Sequence, residues 1–282
     1  MTGPDKPSRR RFLKGLGWAS LAGGLLAGEA VREAYAFGVS HHTMPVRGLT
    51  EPLTIAFLAD FHLGPYMGRR QLREWVDASN DLVPDLVVLG GDLVDRFYAG
   101  DLTELVAEGS RLTSRLGVVA VPGNHDRVRY PDLTPLHAAV QAAGASLLVN
   151  QGVRLREDLV VGGLDDLRRG SPDVGRTFQG LADGEGARVL VSHNPDVIPD
   201  LGPTAAAGRP IDLILCGHTH GGQVCLPFVG PLVTSSQYGA RYAQGWVEAP
   251  EPAFVSRGLG VSLVPFRLLC APELVFLELE PQ

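Results

Sequence analysis

Residues 53–62 read LTIAFLADFH, a nearly unbroken apolar run that ends at Asp60 and His62. A run of this kind, bounded by polar residues, predicts a strand buried on both faces, which is typical of a sheet covered by other layers. Asp60 and His62 therefore stand at the carboxyl end of a buried strand. In an open α/β sheet, that end is where ligands gather.

The same arrangement recurs along the chain. Four further apolar runs predict buried strands over residues 85–90, 117–122, 188–192 and 211–216, and they run respectively into Asp92, Asn124, His193 and the pair His218 and His220. Helical spacing of apolar residues predicts helices over residues 71–78, 102–116 and 131–143. Three strand–helix units in a row imply parallel strands, so the polar clusters are expected at one edge of a sheet.

The remainder of the chain predicts shorter strands. These are expected over residues 146–149, 153–156 and 159–162, and the stretch 245–280 is interpreted as antiparallel strands that close a second sheet. No repeat or low-complexity linker divides the chain, and 282 residues with 45% hydrophobic content suffice for one large core. We therefore expect an α/β fold with one large domain over residues 37–282.

The amino terminus predicts a targeting segment over residues 1–36. Ser8-Arg9-Arg10-Arg11-Phe12-Leu13-Lys14 resembles the twin-arginine export signal, and Ala34-Tyr35-Ala36 offers a small-x-small cleavage site. The apolar stretch over residues 15–28 is shorter than the roughly 20 residues that cross a bilayer stably. Cleavage and an uncleaved membrane anchor both remain open, and we expect export to the periplasm or cell envelope through the twin-arginine translocation machinery.

Net charge and cysteine content argue against a nucleic-acid-binding protein and against a fold built on disulfides or thiolate zinc sites. The net charge is −6, and without residues 1–36 it would be −9, because that segment holds six basic and three acidic residues. An acidic protein is a poor ligand for nucleic-acid backbones, so no nucleic-acid-binding surface is expected. Three cysteines without C-x-x-C spacing indicate neither a disulfide framework nor a thiolate zinc site, although one disulfide stays open.

The polar clusters supply ligands for metal ions. Carboxylate, amide and imidazole groups together suit Mn²⁺, Zn²⁺ or Fe. Two ions about 3.5–4 Å apart would clamp an in-line phosphoryl displacement and lower the pKa of a bridging water, so that hydroxide forms near neutral pH. The clusters therefore predict a dinuclear metal centre that hydrolyses phosphate esters.

The order of the motifs, D-x-H, G-D-x-x-D, G-N-H-D, a lone His and G-H-x-H, resembles that of the calcineurin-like metallophosphoesterases over residues 60–220. The resemblance implies an α/β/β/α sandwich of two mixed sheets flanked by helices. It also implies one ion bound by Asp60, His62, Asp92 and His220, and a second bound by Asp92, Asn124, His193 and His218, with the Asp92 carboxylate as the bridge.

The resemblance further implies the groups that move the proton. The histidine of G-N-H-D, here His125, would act as general acid at the leaving oxygen, and Asp95 would orient it; an imidazole backed by a carboxylate suits that task. Arg96 could contact the substrate phosphate as a fork-shaped donor, or be simply an exposed loop residue.

Residues 192–196, 216–223 and 256–260 resemble a bacterial envelope branch of the family, which includes envelope phosphodiesterases and enzymes that cleave the pyrophosphate of a lipid A precursor. The function predicted is thus a phosphodiesterase or pyrophosphatase whose phosphate-ester substrate is a lipid or another envelope component. The apolar stretch over residues 228–233 predicts contact with a membrane or lipid substrate. The alternative is a non-catalytic metal-binding or scaffold protein on the same fold.

Overall fold

Two six-stranded mixed sheets lie face to face in a computed structural model that describes residues 23–181, 186–201, 209–247 and 251–282. In spatial order, the first sheet contains β1 (Gly38–Val46), β14 (Glu273–Pro281), β2 (Leu53–Leu58), β3 (Leu86–Leu89), β4 (Val118–Ala120) and β5 (Ala145–Leu147). The second contains β12 (Gly245–Val247), β13 (Ala253–Val255), β9 (Leu213–Cys216), β8 (Ala187–Ser192), β7 (Leu159–Gly163) and β6 (Gln151–Arg156). A separate hairpin pairs β10 (Cys225–Leu226) with β11 (Gly230–Pro231).

Helices cover the outer faces of the sheets. The described part of helix α1 covers residues 23–34, and the other α-helices are α2 (Arg69–Asp81), α3 (Thr103–Gly109), α4 (Asn124–Arg129), α5 (Thr134–Ala142) and α6 (Val174–Thr177). Short 3₁₀ turns span Pro195–Asp200, His220–Gly222 and Gly239–Tyr242. Within the described residues, none of the helices has the length and apolar character needed to cross a membrane.

The buried side chains divide into three layers, because successive residues of a strand point to opposite faces. In β2, Ala56 and Leu58 face the helical layer that contains Trp75, whereas Ile55 and Phe57 face the second sheet. A third cluster covers the far side of the second sheet. Burying one such aromatic or aliphatic side chain contributes about 1.5–3 kcal/mol. The predicted α/β/β/α sandwich of two mixed sheets is confirmed.

The parallel core of the first sheet agrees with the apolar runs. β2, β3 and β4 pair in parallel in chain order, and β8 and β9 are parallel neighbours in the second sheet. The carboxyl ends of these five strands therefore bring the five polar clusters toward the same region.

Two predictions of secondary structure are wrong. Strand β14 does not close the second sheet: it pairs antiparallel with β2 and parallel with β1 inside the first sheet. The helix predicted over residues 102–116 ends at Gly109, because the Asn80 side chain donates to the Arg111 carbonyl and accepts from the Thr113 amide, which gives the chain after the helix another set of partners. Strand β1, for which no pattern was found, is mostly exposed along its length.

Candidate metal centre

The first ligand group contains Asp60, His62 and His220, all buried. His62 Nε2 lies 2.9 Å from His220 Nε2, and His220 Nε2 lies 3.6 Å from Asp60 Oδ1. Asp60 and His62 are held by the neighbouring strand end, because the Asp60 amide donates to the Gly91 carbonyl and the His62 amide to the Asp92 carbonyl. Three candidate ligand atoms thus converge from the ends of β2 and β9.

The second ligand group contains Asp92, His193 and His218, which are also buried. His193 Nε2 lies 3.2 Å from Asp92 Oδ2 and 3.2 Å from His218 Nδ1. The other ring nitrogen of His193 lies 2.9 Å from the Gly90 carbonyl oxygen, which fixes the orientation of the ring.

Asp92 lies between the two groups. Its Oδ2 is 3.4 Å from His62 Nε2 of the first group and 3.2 Å from His193 Nε2 of the second. Its Oδ1 accepts a hydrogen bond from the His125 amide at 2.7 Å. One carboxylate therefore faces both groups, which is the position that a bridging ligand requires.

Asn124 supplies an observation that fits a metal site independently of the clusters. Its Oδ1 is buried and finds no hydrogen-bond partner among the described residues. A buried polar atom without a partner is costly, and an amide oxygen is a good ligand for a hard divalent cation. Together with the carboxylates and imidazoles, this oxygen fits the donor set that Mn²⁺, Zn²⁺ or Fe binds.

Burial and charge perturb the pKa values of the candidate ligands in opposite directions. Burial lowers the pKa of His218 and of His220 well below the usual histidine range, so both rings are neutral, which is the form that binds metal. Burial alone would also lower the pKa of His193, but the Asp92 carboxylate outweighs it and raises that pKa to about 10. A bound cation would take the place of that proton, because histidine binds metal in its neutral form.

The backbone at these ligands is unusual. Asp60, His62, Asp92, His218 and His220 all have positive φ, between 46° and 75°. Residues other than glycine adopt this left-handed region rarely, at a cost of about 1 kcal/mol or more each, and they concentrate at functional sites. Five of the seven candidate ligands thus share a rare backbone conformation.

Glycines beside the ligands leave room for them. A Cβ atom at Gly123 would lie 2.2 Å from Asp92 Oδ1, and one at Gly217 would lie 2.6 Å from Asp60 Oδ2. Both distances are far below van der Waals contact, so these positions accept no side chain. The glycines of the G-N-H-D and G-H-x-H motifs are therefore explained by the close approach of a carboxylate.

His125 lies beside both groups. Its Nδ1 is 3.0 Å from Asp95 Oδ2, and its ring centroid is 4.5 Å from that of His62. Burial raises the pKa of the Asp95 carboxyl, but hydrogen bonds from His125 and His62 outweigh this and hold it well below the usual range. Asp95 is therefore a carboxylate at neutral pH, placed to orient the imidazole.

Arg96 approaches the other side of the same ring. Its Nη2 lies 2.9 Å from His125 Nε2. The structure thus brings the seven predicted ligands, His125, Asp95 and Arg96 to one edge of the two sheets. Their individual roles stay predictions.

Asp126 holds the second and third motifs together. Its carboxylate accepts from the backbone amides of Leu93, Val94 and Gly123. Burial and the neighbouring Asp92 raise its pKa to about 7. This side chain fixes the loops that carry Asp92 and Asn124.

Sequence reasoning missed Arg267. This fully buried guanidinium donates to the carbonyls of Gly260 and Cys270 and lies 3.3 Å from His220 Nδ1, against the first ligand group. The signal was present: Arg267 is the sole charged residue in the stretch 258–272. A single charge in an apolar segment often marks a buried and paired group.

Several known proteins are similar to this chain in sequence or in structure. The family model of the calcineurin-like phosphoesterases matches residues 53–222. The uncharacterized metallophosphoesterase YkuE of Bacillus subtilis is 31% identical over 290 residues, covering 98% of each chain. Phosphodiesterase YaeI of Escherichia coli is 28% identical over 289 residues, covering 96% of this chain and 99% of its own. The crystal structure of TT1561 of Thermus thermophilus superposes with a TM-score of 0.44 at 14% identity, covering 76% of this chain and 90% of that one.

The family match spans more than half of the chain and includes every candidate ligand. The chain therefore belongs to the calcineurin-like phosphoesterase family, and it is a metal-dependent phosphoesterase.

Proposed function

We propose that the protein is a dimetal phosphodiesterase or pyrophosphatase in which His125 is the general acid. The observation that carries the proposal is the Asp92 carboxylate, which faces both ligand groups while the His125–Asp95 pair lies beside them. The alkoxide or aryloxide that leaves from a phosphodiester benefits from protonation, which His125 can supply. The phosphodiesterase name of one relative over nearly the whole chain supports this choice.

Two bound divalent ions would neutralise phosphate charge and acidify a water molecule. Asp60, His62, Asp92 and His220 would hold one ion, and Asp92, Asn124, His193 and His218 the other. The protein's own task is then to deliver a proton and to hold the substrate. His125 donates the proton from Nε2, because its Nδ1 faces Asp95. Arg96, which approaches Nε2 in this structure, would turn its guanidinium to a phosphate oxygen when substrate binds.

The test compares His125→Ala with His137→Ala, since His137 is an exposed histidine on α5. After loading with Mn²⁺, bis(p-nitrophenyl) phosphate hydrolysis should fall about 10²–10⁴-fold in His125→Ala with metal content unchanged, and should stay constant in His137→Ala. Loss of metal in His125→Ala would make His125 a ligand instead, a role that its position with His62 and Asp92 also allows. If the native chain cleaves neither diesters nor pyrophosphates with Mn²⁺, Zn²⁺ or Fe²⁺, the proposal is wrong.

We propose further that the enzyme acts outside the cytoplasm on an envelope component. The support is the twin-arginine pattern of residues 8–14, which lies outside the described residues. Helix α1 is relevant to signal processing: Ala34 is buried, and the Glu33 carboxylate accepts from the amides of Leu269 and Cys270. Cleavage after Ala36 would remove these contacts, which favours the uncleaved anchor. Amino-terminal sequencing of the protein from membrane fractions tests this, and a mature chain that begins at Phe37 would refute retention.

A further inference from the structure

Two loops beside the metal centre expose apolar side chains and almost no charge. The hairpin loop, residues 221–240, contains no charged residue. The carboxyl-terminal loop, residues 258–272, contains Arg267 alone, and that side chain is buried. Phe228 at the tip of the hairpin loop is as exposed as it would be in an extended chain. A soluble surface of this size normally interleaves charges with its apolar residues.

The two loops form one surface. Val224 bridges to Leu268, the Cys225 amide donates to the Leu268 carbonyl at 2.9 Å, and the Gln223 side chain donates to the Ser262 carbonyl. More than half of the large hydrophobic side chains that are exposed in the described part of the chain lie in these loops and in α1. Among them are Leu26, Phe228, Val229, Val233, Leu263 and Leu269.

Helix α1 extends the same surface. The Arg267 amide donates to the Ala30 carbonyl at 2.9 Å, and the Glu33 carboxylate accepts from the Leu269 amide at 3.0 Å. Ala30 and Ala34 face the protein, whereas Leu25 and Leu26 are exposed. The first described residues of this helix, 23–28, carry no charge, and the exposed Glu29 and Arg32 that follow pair with each other. The apolar start of the helix thus adjoins the edge of the surface.

Three exposed apolar residues of the loops have an unfavourable backbone conformation. Phe228, Leu263 and Leu269 have positive φ, between 52° and 68°, and all three side chains are exposed. Bulky residues are rare in this region, where Gly, Asn or Asp is favoured. An exposed Leu or Phe in a strained conformation contributes little to the stability of the fold. Val83, on another face, shares this combination, so it is the clustering of three such residues on one surface without exposed charge that indicates an apolar partner.

We propose that helix α1 and the two loops dock the protein on a lipid bilayer. The absence of exposed charge in the loops, the protruding side chains and the uncharged start of helix α1, residues 23–28, identify the occupant as the apolar part of the membrane interface rather than anionic headgroups. The proposal does not depend on phosphoesterase activity. It places the first ligand group beside the membrane, because Arg267 and Cys270 contact both the surface and His220.

The experiment measures lipid contact at chosen positions of the full chain. The three native cysteines are buried, so a cysteine introduced at an exposed position can be labelled with an environment-sensitive dye. Val229→Cys and Val264→Cys report the two loops. Val83→Cys is the control, since Val83 is 80% exposed and lies before β3, at the opposite ends of the strands. The probe is a phosphatidylcholine vesicle, which carries no net charge.

Vesicles should shift the dye emission to the blue at positions 229 and 264 and leave position 83 unchanged. Phe228→Asp combined with Leu263→Asp should weaken vesicle binding about tenfold or more relative to Val83→Asp. Asp adopts positive φ more readily than Phe or Leu, so the fold should tolerate these changes. Circular dichroism checks that the variants are folded. A blue shift that depends on protein concentration without lipid would overturn the proposal in favour of self-association. Unshifted dyes on membrane-bound protein would mean that another part of the chain makes the contact.

Discussion

Replacing Arg267 by methionine tests how the first ligand group is held. The buried guanidinium donates to five main-chain carbonyls, which belong to His220, Arg257, Gly258, Gly260 and Cys270. These carbonyls lie on the segments that carry His220 and that pack against Asp60. Methionine fills a similar volume but donates no hydrogen bond, so each of these oxygens loses its charged partner.

The expected cost follows from those contacts. One buried acceptor without a partner costs about 1–3 kcal/mol, but some of these carbonyls share donors, and removing a buried charge returns part of its desolvation cost. We therefore expect Arg267→Met to lower the free energy of unfolding by about 3–5 kcal/mol. Arg267→Lys keeps the charge but has fewer hydrogen-bond donors, so its free energy of unfolding should lie between those of the native protein and Arg267→Met. Arg70→Met is the control, because Arg70 is exposed and pairs with Glu74, so its loss should cost less than about 1 kcal/mol.

The assay combines urea unfolding, followed by circular dichroism, with metal analysis of Mn²⁺-loaded protein. Arg267→Met should unfold at lower urea and should lose mainly the ion of the first group, because His220 belongs to that group alone. A variant that keeps the native midpoint and the full metal content would refute the view that Arg267 positions His220.

Three further changes have distinct expected outcomes. Asp95→Asn should lower kcat for an aryl phosphodiester about 10–100-fold at constant metal content, since an amide orients His125 less firmly; unchanged kinetics would contradict that role. Gly123→Ala should lower both metal content and unfolding free energy, by about 1–3 kcal/mol, because its Cβ overlaps Asp92, and full occupancy would show that the loop can adjust. Hydrogen bonds from three arginines lower the pKa of Glu108 to about 2, so it stabilises the fold above pH 4.5 and progressively less as the pH falls toward 2. Glu108→Gln should therefore cost about 1–2 kcal/mol at pH 7, and urea midpoints of the two proteins should converge near pH 2; a constant difference would be contrary evidence.

The sequence predicted the centre of the fold well because the central strands carry their own signal. β2, β3 and β9 are buried on both faces, so each appears as an apolar run with a polar end. β1 and β14 do not carry such a local signal. β1 is an exposed edge strand, and β14 is the last strand of the chain but inserts between β1 and β2. Such pairing depends on contacts across more than 200 residues, which no local pattern encodes.

The candidate ligands and the residues that support them differ in how far the sequence could predict them. Candidate ligands could be located because each follows a strand directly, so one motif is enough to place it. The contacts that hold them could not be predicted: the lone charge of Arg267 marks a buried group, but Arg267 and Glu33 bind main-chain atoms of distant segments. Glu33 in particular stands in the stretch assigned to the export signal, yet its carboxylate binds the amides of Leu269 and Cys270. A hydrogen bond of this kind, between a side chain and the backbone of a segment more than 200 residues away, depends on the tertiary structure and leaves no local pattern in the sequence.

The positive φ angles connect the strand ends to the chemistry. A strand that simply continued past Asp60 or Asp92 would send successive side chains to opposite faces of the sheet. A left-handed residue changes the direction of the chain there, and the side chains of Asp60 and Asp92 contact histidines from other strand ends. Asp and His tolerate this conformation better than branched or bulky residues. The backbone that suits a metal centre and the residues that bind metal therefore favour the same positions, and the cost of the strained turns is offset by the hydrogen bonds and packing that fix them.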